Sequence, residues 1–137
     1  MQNVSPLNKG DAEIRERVDS LVRALQAKDV SSVMTHYAPE VVAFDFAPPL
    51  QVEGAAAYRK NFEQWFAGIQ GPIDYELEDL NIAVADRAAF SHNIGHVKCA
   101  SLSGEKIDYR VRVTACFQKL RGQWLITHEH ISMPTKM

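Results

Sequence analysis

The chain has 137 residues, 46% apolar and 23% charged, with 15 basic against 17 acidic residues and a net charge of −2. That length holds one domain, and the composition excludes a disordered, collagen-like or disulfide-scaffold chain. The near-neutral charge gives no pull toward nucleic acid or anionic membrane.

No apolar run approaches the roughly 18 residues of a membrane span. The start, Met1-Gln2-Asn3-Val4-Ser5-Pro6, lacks the basic and apolar segments of a signal peptide, so a cytoplasmic protein is expected. Cys99 and Cys116 fall in strand-like segments and read as reduced, buried small hydrophobes.

The first strong pattern is helical. Ile14, Val18, Leu21, Val22 and Leu25 recur at spacings of three and four with charged residues between them. Asn8 is the expected N-cap, with Asp11 favouring the positive helix end. After Ala27-Lys28-Asp29, Asp29 caps a second helix over 30–37, which Ala38-Pro39 ends. A short strand over 41–46 is stopped by Pro48-Pro49. A third helix over 54–67 carries the stripe Tyr58, Phe62, Trp65, Phe66 and is closed by Gly68 and Gly71-Pro72.

Beyond residue 72 the period changes from 3.6 to 2. Strands are predicted over 73–85, 87–102, 106–120 and 123–133, with separators short enough for antiparallel hairpins. Helices first and a long meander second read as α+β, with a single domain over 8–134 and a tail over 1–7.

Alternation sorts the strand faces. Tyr109, Val111, Val113, Ala115 and Phe117 form the face expected against the helices. In the last strand Trp124, Ile126, His128 and His130 alternate with Leu125, Thr127, Glu129 and Ile131, and both sets are partly apolar. With one helical layer available, the second cover is most economically another subunit, so a homodimer through the outer sheet face is expected.

The layout resembles the nuclear-transport-factor-two-like superfamily, in the branch of SnoaL-like and ketosteroid-isomerase-like proteins. The segments carrying the resemblance are Ala27-Lys28-Asp29-Val30, His36-Tyr37-Ala38-Pro39-Glu40 leading into Val42-Ala43-Phe44-Asp45, and Gly54 before the third helix. Arg112-Val113-Thr114, Gly122-Gln123-Trp124-Leu125-Ile126 and His128-Glu129-His130-Ile131-Ser132-Met133-Pro134 complete the set. The resemblance implies a cystatin-like cone, three helices on a strongly curved, mostly antiparallel sheet, usually dimeric. The same cone serves enzymes, binding modules and assembly domains, so fold alone does not settle function.

Carried over residue by residue, the isomerase base falls on Asp45. The oxyanion-hole tyrosine falls on Leu21, the protonated acid on or beside Thr114, and a further tyrosine on Phe62. The base is kept and the oxyanion donors are largely lost. Losing such a donor typically costs roughly 3–4 kcal/mol of transition-state stabilisation, which argues against steroid isomerisation itself.

Asp45 and Glu129 are the candidate acid/base pair, with Thr114 a weak donor. Glu129 alternatively pairs with Arg110 or Arg112 at a sheet edge, and Asp45 alternatively faces solvent. Tyr37, Tyr58, Phe62, Trp65, Phe66, Val113, Thr127 and Ile131 are expected to line a ligand pocket, or else to fill the core. His128 with His130, and His92 with His96, share strand faces, but Glu129 points away from its neighbours, so no metal site is expected. His36 is expected on an exposed helix face. No phosphate loop or nucleophile elbow is present, and no cofactor is expected. The resulting expectation is an isomerase, cyclase or dehydratase acting on an apolar carbonyl compound. A non-catalytic ligand-binding module and a dimerisation domain are the alternatives.

Overall fold

The computed structural model describes residues 9–136. Helix α1 (Lys9–Ala27) buries Ile14, Val18, Ala24 and Leu25. It ends in a left-handed Lys28 (φ 55°). There Asp29 N–H reaches the Ala24 carbonyl (3.0 Å) and Lys28 N–H the Leu25 carbonyl (3.1 Å), the two bonds of a Schellman stop. Lys28 Nζ donates to the Ile69 carbonyl at 2.7 Å, tying the helix end to the sheet. The expected Asn8 cap and the 1–7 tail lie outside the described residues.

Asp29 caps α2 (Val30–Met34), its carboxylate accepting from Ser32 N–H at 3.2 Å and from the Ser32 hydroxyl at 2.7 Å. The second helix is therefore shorter than the predicted 30–37. Tyr37 opens β1 (Tyr37–Phe44) instead, and Asp45 falls just beyond that strand. A two-residue strand β2 (Val52–Glu53) pairs with β1; it is too short to leave a periodic signal. Helix α3 (Ala55–Ala67) follows Gly54, whose φ of 90° suits the chain reversal there.

Four long strands complete the fold: β3 (Ile69–Val84), β4 (Ala88–Ser101), β5 (Lys106–Leu120) and β6 (Gln123–Ser132). Gly71-Pro72 bends β3 rather than preceding it, with a register shift between Gln70 and Asp74. The β5–β6 hairpin turns on Arg121 (φ 52°) and Gly122 (φ 79°), both left-handed as a tight two-residue turn demands. The sheet order is β2-β1-β6-β5-β4-β3, antiparallel except where β1 runs parallel to β6.

Three irregularities curve this sheet around the helices. Asp79 (φ 55°) marks a bulge in β3, so Tyr75 and Leu77 before it and Leu80, Ile82 and Val84 after it all face the core. In β1 the register slips between Tyr37 and Val42. In β6, Phe117 pairs with Ile126 and Cys116 with His128, leaving Thr127 as the extra residue.

The β6 bulge corrects the simple alternation: Trp124 and Ile126 share the inner face with Glu129 and Ile131 instead of opposing them. Arg17 locks the narrow end, its Nε donating to the Trp124 carbonyl (3.0 Å) and Nη2 to the Thr35 carbonyl (2.9 Å). Cys99 and Cys116 are free and only partly buried. No described helix is long and apolar enough to cross a membrane.

Candidate active site

Between the helices and the concave face of the sheet lies a cavity of about 410 Å³, within the usual size of small-molecule sites. Its floor is made by small inward residues on adjacent strands. Glu129 of β6 pairs with Ala115 of β5, and Ala115 with Ser91 of β4, while Ala43 of β1 flanks Glu129 on its other side. Small side chains there leave room that Leu or Phe would fill. Val18, Leu21, Val22 and Leu25 of α1 and Phe62 and Trp65 of α3 form the opposite wall. The exposed residues Phe46, Ala47, Pro48 and Gln64 mark the mouth.

Glu129 is the chemical centre of this cavity. It is 4% exposed, and one of its oxygens, Oε1, accepts from two hydroxyls: Tyr58 at 2.6 Å and Tyr37 at 2.8 Å. Both hydroxyls take the same oxygen, Oε1. Burial raises the Glu129 pKa to about 7. The Tyr58 and Tyr37 hydrogen bonds restrain it, and the nearby charge of Asp45 adds to the rise. The tyrosines themselves are held well above their ordinary 10, first by burial and then by Glu129, so they remain donors at any physiological pH.

Ring packing holds them in place. Tyr37 meets Tyr58 edge-on at 5.1 Å, and Phe62 lies 4.7 Å from Tyr58 and 5.9 Å from Tyr37. A carboxyl titrating near neutrality beside two fixed donors can both take and return a proton.

Asp45 lines the same cavity nearer the mouth, half-buried, its carboxylate accepting from Phe46 N–H at 2.8 Å. Burial raises its pKa, opposed by the Phe46 amide and the Asn61 side chain. Tyr37, Tyr58, Phe62, Trp65, Val113 and Ile131 also line the cavity. Three expected residues do not. Thr114 is exposed on the outer sheet face, in register with His92 and His130, because strand alternation turns it away from Val113 and Ala115. Thr127 is the bulge residue, its hydroxyl reaching the Cys116 carbonyl at 3.4 Å. Phe66 is buried in the core against Phe62 and Trp65 and does not reach the cavity wall.

Other wall residues carry signals that strand and helix spacing contained. Asn61 lies on the Tyr58–Phe62–Trp65 stripe of α3, within one turn of each. Ser91 and Asn93 of β4, 2% and 8% exposed, face inward by alternation with His92 and Ile94. Tyr75 and Tyr109, both raised to about 12 mainly by burial, add two more hydroxyls. His36, expected to be exposed, is 3% exposed and lines the cavity. Its Nδ1 lies 3.0 Å from the Ser32 carbonyl and 3.1 Å from the Val33 carbonyl, so Nδ1 carries a proton and donates there. Burial lowers its pKa, and Arg17 adds to the effect.

Elsewhere, Arg110 pairs with Glu78 at 3.0 Å and Arg112 with the Ser132 hydroxyl at 3.0 Å, so neither arginine meets Glu129. His128 and His130 pack edge-on against Phe44, and His96 pairs with Asp108 at 2.7 Å. Among the described residues no three His, Cys, Asp or Glu side chains converge on a metal position.

The SnoaL-like domain profile matches residues 14–136. A nuclear-transport-factor-two-like protein of unknown function from Pseudomonas putida superposes with a TM-score of 0.83 at 30% identity, covering 92% of this chain and 87% of that one. At 15% identity, a ketosteroid isomerase-like protein from Erwinia carotovora gives 0.80 over 95% and 100%. An uncharacterised cystatin-like-fold protein from Caulobacter vibrioides gives 0.78 at 13% identity over 93% and 92%. The curated proteins hold no match. Cone, cavity and profile agree: the chain belongs to the SnoaL-like domain family, within the nuclear-transport-factor-two-like superfamily.

Proposed function

We propose that the protein is a small-molecule isomerase, cyclase or dehydratase that moves protons on an apolar carbonyl compound. Glu129 is the principal acid/base and Asp45 a second carboxylate nearer the mouth. The observation carrying this reading is the Glu129 carboxyl itself, buried, tuned to about 7, and held on one oxygen by two tyrosines. The acid lies on a cavity wall that is mostly apolar, with Asp45 lining the same cavity.

Turnover across a panel of enolisable ketones and polyketide-like acids tests the proposal. Glu129→Gln is expected to abolish activity, and Asp45→Asn to reduce it while ligand affinity stays within a few-fold. Undiminished turnover in Glu129→Gln refutes the assignment. The binding-module reading draws on Leu21 and Phe62, which supply no hydrogen bond where related isomerases use tyrosine. It predicts ligand affinity without turnover in every variant.

We also propose that the outer sheet face pairs with a second copy. That face is divided. Toward β3 it carries ion pairs such as Lys98–Glu76 (2.8 Å) and Arg110–Glu78 (3.0 Å). Toward β1 it presents Phe44, His130, Thr114 and His92 in one row and Val42, His128, Cys116 and Phe90 in the next. The unpaired half, with Phe90 50% exposed, is the half suited to burial. Two free thiols fit a reducing, cytoplasmic setting.

A further inference from the structure

Two carboxyls share the cavity, and no cation stands beside either. Among the described residues Asp45 takes part in no ion pair. Its carboxylate accepts from the Phe46 N–H at 2.8 Å, and Asn61 is its other polar neighbour. Glu129 accepts from two neutral hydroxyls. The basic residues on the cavity wall are Arg17 and His36. Arg17 gives its Nε and Nη2 to the Trp124 and Thr35 carbonyls at the narrow end, and no basic group acts on the titration of Asp45 or Glu129. Burying a carboxylate without a counter-charge is costly. Both carboxyls here are held above their ordinary range, chiefly by burial, and the charge of Asp45 adds to the rise at Glu129.

Around Asp45 the cavity is walled by aromatic rings. Phe46, Phe62, Trp65 and Tyr109 all line it, and Phe46 lies against Tyr109 with ring centroids 5.9 Å apart. The charge of Asp45 is felt at Tyr109 on β5, at Tyr58 on α3 and at Glu129 on β6, so the carboxylate stands within electrostatic reach of three walls. Trp, Tyr and Phe faces attract a cation that comes within about 6 Å of the ring, and they do so most strongly where water is excluded. A neutral ligand leaves both acids without a counter-charge, and an anion is repelled by both. An organic cation meets an acceptor and several ring faces at once.

We propose that the cavity binds an apolar organic amine in its protonated form, with the ammonium group on Asp45 among the rings of Phe46, Trp65 and Tyr109. The apolar body of the amine lies deeper, against Leu21, Val22 and Leu25 of α1. The ammonium N–H donates to the Asp45 carboxylate, and its charge also favours ionised Glu129. This goes beyond the proton-transfer reading and does not depend on it, since binding requires no turnover. Asp45, a secondary carboxylate in that reading, becomes the residue that selects the ligand by charge.

The test uses three naphthalene probes of similar shape: 2-naphthylmethylamine, its neutral counterpart 2-naphthylmethanol and the anion 2-naphthoate. Binding is measured by calorimetry at a pH of about 8, where the amine is protonated and Glu129, with a pKa of about 7, is mostly ionised. Wild type is expected to bind the amine about ten- to hundredfold more tightly than the alcohol, the worth of a hydrogen bond to a charged group, and the naphthoate more weakly than either. Asp45→Asn keeps an acceptor for the Phe46 N–H and is expected to lose most of the preference, with alcohol affinity unchanged within a few-fold. Carbon-13 NMR of the Glu129 carboxyl gives a readout that needs no variant. The bound amine brings a positive charge and should lower the Glu129 midpoint below about 7, whereas the bound alcohol should not lower it.

Equal binding of amine and alcohol overturns the proposal, as does a Glu129 midpoint that the amine leaves unmoved. Naphthoate bound best overturns it too, by placing the charged head on Arg17. An amine preference that survives Asp45→Asn undiminished removes Asp45 as the ammonium's partner and sinks the assignment. None of these outcomes bears on the proton-transfer reading, which turnover in Glu129→Gln decides.

Discussion

Glu129→Gln separates the carboxyl's charge from its shape, and its effect on stability follows from the structure. The carboxyl has an ordinary pKa of 4.5 and a folded value of about 7. Below 4.5 it is protonated in folded and unfolded chains alike, and the neutral acid accepts the two tyrosine hydrogen bonds without a penalty. As pH rises from 4.5 to 7 the unfolded chain releases this proton while the folded chain still holds it, so stability falls. Above 7 the loss is complete. At about 1.4 kcal/mol per pH unit the full loss is about 3 kcal/mol. The glutamine variant keeps an acceptor at Oε1 and has no such term. Urea unfolding of both proteins from about pH 4.5 to 8 is the assay, the difference between them cancelling every other titrating group. The glutamine variant should gain about 3 kcal/mol on wild type across that window, and a gap that stays constant with pH refutes the buried, uncompensated carboxyl.

Three further outcomes follow from named contacts. Tyr58→Phe removes the 2.6 Å bond to Glu129; since a hydrogen bond to a charged group is worth about 1.5–3 kcal/mol, the Glu129 midpoint should move from about 7 toward 8 or 9, read by carbon-13 NMR of the carboxyl, and an unmoved or acid-shifted midpoint counts against the geometry. Gly95→Ala places a methyl group where the Tyr75 hydroxyl lies, so it should cost about 1–3 kcal/mol in thermal unfolding. Phe90→Asp, at a half-exposed position, should leave the fold intact and convert a particle of roughly twice the 15.4 kDa chain mass into a monomer by sedimentation.

Much of the fold was legible because it rests on periodicity. The α1 stripe from Ile14 to Leu25 and the Arg121-Gly122 turn each act within a few residues, and the structure has both, while the change of period expected after residue 72 comes earlier, at Ile69. Boundaries governed by tertiary pairing were less legible. Tyr37 joins β1 rather than α2 because Ile126 offers it a parallel partner nearly ninety positions away. His36 is buried for the same reason, its carbonyl accepting from Ile126 N–H at 2.8 Å. The facing of Glu129 with Ile131 could be reasoned from alternation, whereas that of Asp45, just beyond the end of β1, could not. The partners of Glu129 could not, since Tyr37 and Tyr58 lie 92 and 71 positions away. Asn93 left a readable trace, a polar residue in phase with Ser91 on the face of β4 that must be inward once β5 is oriented by Val111 and Val113.

The ladder between β5 and β6 decides how Glu129 meets its tyrosines, and deleting Thr127 tests that directly. Without it the order Trp124, Leu125, Ile126, His128, Glu129 alternates strictly, and the ladder to β5 becomes continuous because Phe117–Ile126 and Cys116–His128 are already neighbouring pairs. The shortened chain should therefore fold with Glu129 still opposite Ala115 and facing the cavity. Against β1 the pairing steps from Tyr37–Ile126 to Val42–His128, five residues on β1 for two on β6, so the excess chain there lies on β1 and does not depend on Thr127. Both tyrosine bonds to Glu129 should survive, and its pKa should stay at about 7 while near-ultraviolet circular dichroism stays native. A folded deletion variant whose carboxyl titrates well above the wild-type midpoint would show a tyrosine bond lost, and that the bulge rather than the ladder sets the contact.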